Sequence, residues 1–157
     1  MNTNQEFRKN FIKTISSEDQ AIGIYQAELF WKRRPKDVFE AILEDEIKHE
    51  KNLTDFVHSR GWNFTKRQKI IMHFNRYSGW LIGTFLSILP RRICFYFHYM
   101  AEKQAANGYK DLMIHIENND NQKQINLTDI KSEIKEIIES EKTHSEIFKA
   151  LINWEQQ

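Results

Sequence analysis

Apolar residues along this chain recur in steps of three and four, and no segment sustains the alternation of a strand. Phe11, Ile15, Ile22, Tyr25 and Leu29 make one such stripe, and Phe39, Ile42 (with Leu43), Leu53 and Phe56 a second. A third runs through Phe95, Ala105, Tyr109 and Leu112, and a fourth through Ile130, Ile134, Ile137, Phe148, Leu151 and Trp154. Turn and cap residues set the bounds. Ser17 followed by Gln20 has capping-box spacing and predicts the opening of a helix running towards Arg34. Pro35 suits the first residue of a second helix, which Gly61 ends. A third helix is expected from about Lys66 to Leu89, with Pro90 ending it and starting a fourth. The Asn-rich stretch 118–126 is the best loop, and Thr128 is the expected N-cap of a last helix reaching the C-terminus. Five glycines and two prolines in 157 residues leave few breakers, so the expectation is one all-α domain over residues 1–157.

Each stripe is interrupted by acids or histidines. Glu18 falls in phase on the first helix, Glu46 and His49 on the second, Glu102 (after His98) on the fourth, and Glu141 and His144 on the last. The neighbouring acids Glu44, Asp45, Glu50, Glu139 and Glu146 mostly fall outside the stripes and read as a solvated face. An ionised carboxylate buried without a partner costs several kcal/mol or is neutralised. Four of them facing one core therefore call for a common cation.

Composition narrows the chemistry. Lys plus Arg (23) nearly balances Asp plus Glu (22), so no global charge argues for nucleic acid. A single cysteine, Cys94, excludes an internal disulfide and any Cys-based zinc or rubredoxin-type iron site, and reads as a small core residue. His58, His73, His98 and His115 read as surface or core polar residues, not ligands. The N-terminus lacks an apolar signal core, which gives an intracellular protein as the expectation.

The order of the in-phase donors is one Glu followed by Glu-x-x-His, given twice. This is the ligand set of ferritin-like di-iron and di-manganese carboxylate bundles. Residues three apart lie on one helix face, so one carboxylate can bridge two metals while its imidazole neighbour binds one of them. Four carboxylates offset two divalent ions, and the mixed oxygen and nitrogen set suits iron, with manganese the alternative. The fold expected is a ferritin-like four-helix bundle with an additional helix.

Within such bundles the chain resembles the demethoxyubiquinone hydroxylases. EDQAIGIY (18–25) is similar to that family's first ligand segment, and SGWLIGTFLSILPRRICFYFHYMAEKQAANGY (78–109) is similar without a gap. The two Glu-x-x-His segments follow in the family's order. The resemblance implies a flavin-independent monooxygenase in which a di-iron centre, held by Glu18, Glu46, His49, Glu102, Glu141 and His144, activates O2 to hydroxylate a polyprenyl quinone or quinol. It also implies a role for Tyr109 near the metals, relaying electrons or orienting a ligand; as a residue, Tyr109 equally reads as a buried aromatic. The chain departs from the family at Gly108, where a histidine usually precedes the tyrosine, and at Ile15-Ser16-Ser17, where His-Ala-Gly usually precedes the glutamate. Those departures bear on electron delivery and on the exact substrate.

The segments WLIGTFLSIL and ICFYFHYMA are too short to span a bilayer, yet more apolar than one core face requires. Trp80, Phe85, Phe95, Tyr96, Phe97 and Tyr99, flanked by Lys66, Arg67, Lys69, Arg91 and Arg92, suit a surface lying on the cytoplasmic face of a membrane. A dimer interface, a partner of ubiquinone biosynthesis or a thick core would serve the same residues. Gly79 and Gly83 form a Gly-x-x-x-Gly that permits close helix approach. Two other functions remain open on the residues alone. One is a ferritin- or rubrerythrin-like oxidase or metal-handling protein, and the other a non-enzymatic helical module whose core acids are salt-bridged.

Overall fold

The computed structural model describes residues 3–33, 35–120 and 128–155, which form five helices and, among them, no strand. These are α1 (Thr3–Phe30), α2 (Lys36–Ser59), α3 (Lys66–Ile88), α4 (Arg91–Asp120) and α5 (Thr128–Trp154). The all-α class is the one the stripes predict. Residues 121–126 of the expected Asn-rich loop lie outside the described residues, as does the side chain of Thr128; residues 118–120 continue α4.

Cap chemistry explains most bounds. Pro35, at φ −74° and ψ 130°, is the N-cap of α2, and Gly61 follows its C-terminus at φ +69°, a conformation that favours glycine. Thr65 and Gln68 form a capping box at the start of α3 that the sequence reading did not use. The Ser17 cap is overturned. α1 opens at Thr3, and the Ser17 hydroxyl donates 2.6 Å to the carbonyl of Thr14 inside the helix. Phe11 and Ile15 are fully buried upstream of Ser17, so packing carries the helix through the local cap signal.

The chain divides into two compact units, Phe11–Leu89 and Pro90–Gln157 with Met1–Asn10. In the first, α1 and α2 run antiparallel. Phe11 packs on Phe56 (5.1 Å between centroids) near one end, and Tyr25 meets Phe39 edge-on (5.9 Å) towards the other. In the second, α4 and α5 pack along each other, with Phe148 between Phe95 (6.3 Å) and His98 (4.6 Å, stacked). His98 is therefore the core histidine of its group, while His58, His73 and His115 are exposed. The fifth-helix stripe stops short of its expected end, because Trp154 is largely exposed.

α3 lies parallel to α1 along a seam of small residues. A Cβ at Gly79 would run into the Gln20 carbonyl, one at Gly83 into the Ile24 carbonyl, and one at Gly23 into the Arg76 carbonyl. The Gly-x-x-x-Gly of α3 thus meets a glycine of α1, which lets the two backbones approach closely. Polar ties flank the seam: Asn75 donates to the Ser16 carbonyl (3.1 Å), Gln20 to the Ser78 hydroxyl (3.1 Å) and Trp31 to Thr84 (3.2 Å). Arg33 donates to the carbonyls of Leu86 and Leu89 where α3 ends; the Leu86 carbonyl also accepts from the Leu89 N–H.

Gly79→Ala puts a methyl against backbone and is expected to lower stability by about 1–3 kcal/mol. Gly108 has open space around its Cβ position, so Gly108→Ala is expected to raise stability by about 0.5–1 kcal/mol through helix propensity. Urea unfolding of both variants checks the pair; equal effects would contradict a close α1–α3 seam.

Candidate metal centre

The antiparallel helix pairs decide where the in-phase acids meet. In the α1–α2 pair, Glu18 sits two turns beyond Phe11 on the same face, and His49 two turns before Phe56. The aromatic contacts on either side therefore bring Glu18 opposite His49, with His49 Nδ1 3.8 Å from Glu18 Oε2. Glu46, one turn before His49, completes a triad whose donor atoms lie within 4.8 Å of one another. The α4–α5 pair builds the same arrangement. His144 Nδ1 lies 3.6 Å from Glu102 Oε2, and Glu141 brings its carboxylate within 4.8 Å of both.

All six side chains are buried, none more than 5% exposed. Each unit thus holds two carboxylates and one imidazole converging in a dehydrated interior. Like charges this close disfavour each other's ionised form, and a divalent cation removes the conflict. The donor set, oxygen-rich with one nitrogen per triad, fits a hard or borderline divalent metal such as iron or manganese. Every sequence-predicted ligand falls in one of the two triads; Glu44, Glu139 and Glu146 are exposed as expected, whereas Asp45 and Glu50 are half-buried.

Two further features flank the α1–α2 triad. Asp19, beside Glu18, is buried and held by Arg76 at 2.8 Å. Burial holds the Asp19 carboxyl above its ordinary range, and the Arg76 guanidinium offsets this only in part. This ion pair anchors α1 to α3 next to a triad residue. Nothing in the apolar stripe marks Asp19, because it lies one residue off phase. Tyr25 is the second feature: it is buried seven residues beyond Glu18, as Tyr109 is buried seven beyond Glu102. Seven residues are two turns, a rise of about 10 Å on the same helix face. Tyr109 is 2% exposed and belongs to the core of the α4–α5 unit.

Compared with protein-family models, residues 16–153 match the family described as Ubiquinone biosynthesis protein COQ7. The chain belongs to this family. The match covers both triads and all of α2 to α4, and it places the chain in a family that acts in ubiquinone biosynthesis. Searches of curated proteins and of solved structures found no significant match. Within the COQ7 match, Gly108 occupies an exposed position on α4, so a histidine there would project outward while Tyr109 stays buried.

Two carboxylates buried in one triad repel each other when no cation lies between them. Glu141→Gln, which removes one charge with little change of shape, is expected to raise the stability of the metal-free protein by about 1 kcal/mol, or roughly 2–4 °C in Tm. Thermal unfolding in the presence of a chelator checks this; a fall in Tm would mean that the acids are structural ion-pair partners.

Proposed function

We propose that the two triads supply the six ligands of one di-iron centre, in a monooxygenase that uses O2 to hydroxylate the ring of a polyprenyl quinone or quinol. The observation that carries this reading is the pair of buried Glu/Glu/His triads, one in each unit, in a chain of the COQ7 family. Glu18, Glu46, Glu102 and Glu141 would supply the carboxylate ligands, and His49 and His144 the nitrogen donors. When bound, the iron pair supplies the two-electron activation of O2, with reducing equivalents from an external donor. Manganese is the alternative metal for the same donors.

The chain's own residues do the rest. The apolar walls of each helix pair exclude water from the carboxylates, which strengthens their hold on a cation. Tyr109, buried two turns from Glu102, lies beyond the triad and is assigned to relay or orientation, not coordination.

Access for a greasy substrate points to α3. Ile70, Phe74, Tyr77, Leu81, Phe85 and Ile88 are all exposed and follow one another by three or four residues. Lys66, Arg67 and Lys69 at the start of the helix are exposed as well. Of the aromatic residues expected at a membrane, Phe85, Tyr96 and Phe97 are exposed, Trp80 and Tyr99 half-buried, and Phe95 buried in the core. No helix of the described residues is long and apolar enough to cross a membrane. The proposal is that α3 lies on the membrane surface, apolar face in the lipid, and that the quinone reaches the centre from there.

The test combines both parts. Iron-loaded, reduced protein is mixed with a demethoxyquinol in anionic vesicles under 18O2, and the product is weighed by mass spectrometry. Incorporation of one 18O into the ring is expected. Leu81→Glu should lose turnover on vesicles and keep it on a short-tailed quinol in detergent. No labelled product in either medium sinks the hydroxylase reading; equal turnover of Leu81→Glu on vesicles sinks the docking of α3.

A further inference from the structure

We infer that Ser140 is a positioning residue for His144: its hydroxyl accepts the proton on Nε2 and thereby fixes the tautomer that leaves Nδ1 to bind metal. The inference rests on the di-metal reading above and concerns a residue that this reading does not use. Ser140 and His144 are four apart on α5, one turn, so their side chains are stacked on the same face. Ser140 Oγ and His144 Nε2 are 3.3 Å apart. The other ring nitrogen, Nδ1, is the one turned towards the triad, 3.6 Å from Glu102 Oε2.

The chemistry follows from the proton count of a neutral imidazole. It carries one N–H, and a nitrogen that binds metal cannot be the one that carries it. With Nδ1 facing the carboxylates, the proton belongs on Nε2. His144 is 3% exposed, so that N–H needs a protein acceptor, and an unmet buried donor costs about 1–3 kcal/mol. The Ser140 hydroxyl stands at that nitrogen. A ligating histidine held through its second nitrogen keeps its ring plane and its tautomer, and loss of such a partner typically weakens metal binding about 10- to 100-fold.

The equivalent place in the other triad is occupied differently. Four residues before His49 stands Asp45, half-buried on α2. The serine at this register thus belongs to the α4–α5 triad alone.

Metal-free protein titrated anaerobically with Co2+ in a calorimeter should bind the metal, and Ser140→Ala should weaken that binding about 10-fold. Ser140→Thr, which keeps the hydroxyl, should restore it. In Zn2+-loaded, 15N-histidine-labelled protein, the Nε2 proton of His144 should be slow to exchange in the wild type and in Ser140→Thr, and fast in Ser140→Ala. Unchanged Co2+ affinity and unchanged exchange in Ser140→Ala would overturn the role of Ser140 while leaving the metal centre intact. Failure of the wild type to bind any metal would overturn the di-metal reading itself.

Discussion

Burying carboxylates is the constraint on which the rest of this molecule depends. Each of the two helix pairs takes two glutamates and a histidine out of water, at a cost of several kcal/mol per charge unless something compensates. Helical geometry makes the arrangement possible: acids in phase with an apolar stripe are carried inward by the same packing that buries Ile15, Ile42, Leu112 and Ile137. The aromatic contacts Phe11–Phe56 and Phe95–Phe148 then set the register that brings Glu18 to His49 and Glu102 to His144. A fold that only needed stability would place leucines there. On the proposed reading, a cation offsets that cost.

α3 has a different task. It gives the core little beyond Gly79, Gly83 and Leu86, and it is fastened to α1 through close backbone approach and polar ties. One of those ties, Asp19 to Arg76, sits beside Glu18. A helix held by its narrow, glycine-lined side is free to turn its broad apolar side outward. In a soluble setting that exposure is a liability, and against lipid it becomes a binding surface. The same helix thus links the proposed docking face to the triad-bearing helix α1 without taking part in the triads.

Much of this was legible in the sequence. The phase of Glu18, Glu46, His49, Glu102, Glu141 and His144 within apolar stripes is a local property, and local periodicity is what sequence reports best. The bounds of α2 and α3 followed from Pro35, Gly61 and Pro90 for the same reason. The opening of α1 did not, because the pull of buried Phe11 and Ile15 is tertiary and overrides the cap spacing at Ser17. Asp19–Arg76 joins residues 57 apart, and no pattern on either helix announces it. Ser140 went unmarked in the sequence, because its approach to His144 Nε2 (3.3 Å) belongs to the folded helix.

The account stands or falls on whether the two triads act as one centre. Mössbauer spectroscopy of the 57Fe-loaded, air-oxidised protein tests this most directly, with Glu102→Ala alongside. Two irons per chain in a magnetically coupled pair, with the coupling lost in the variant, is the predicted result. Two independent ferric sites, or no bound iron in the wild type, would contradict it.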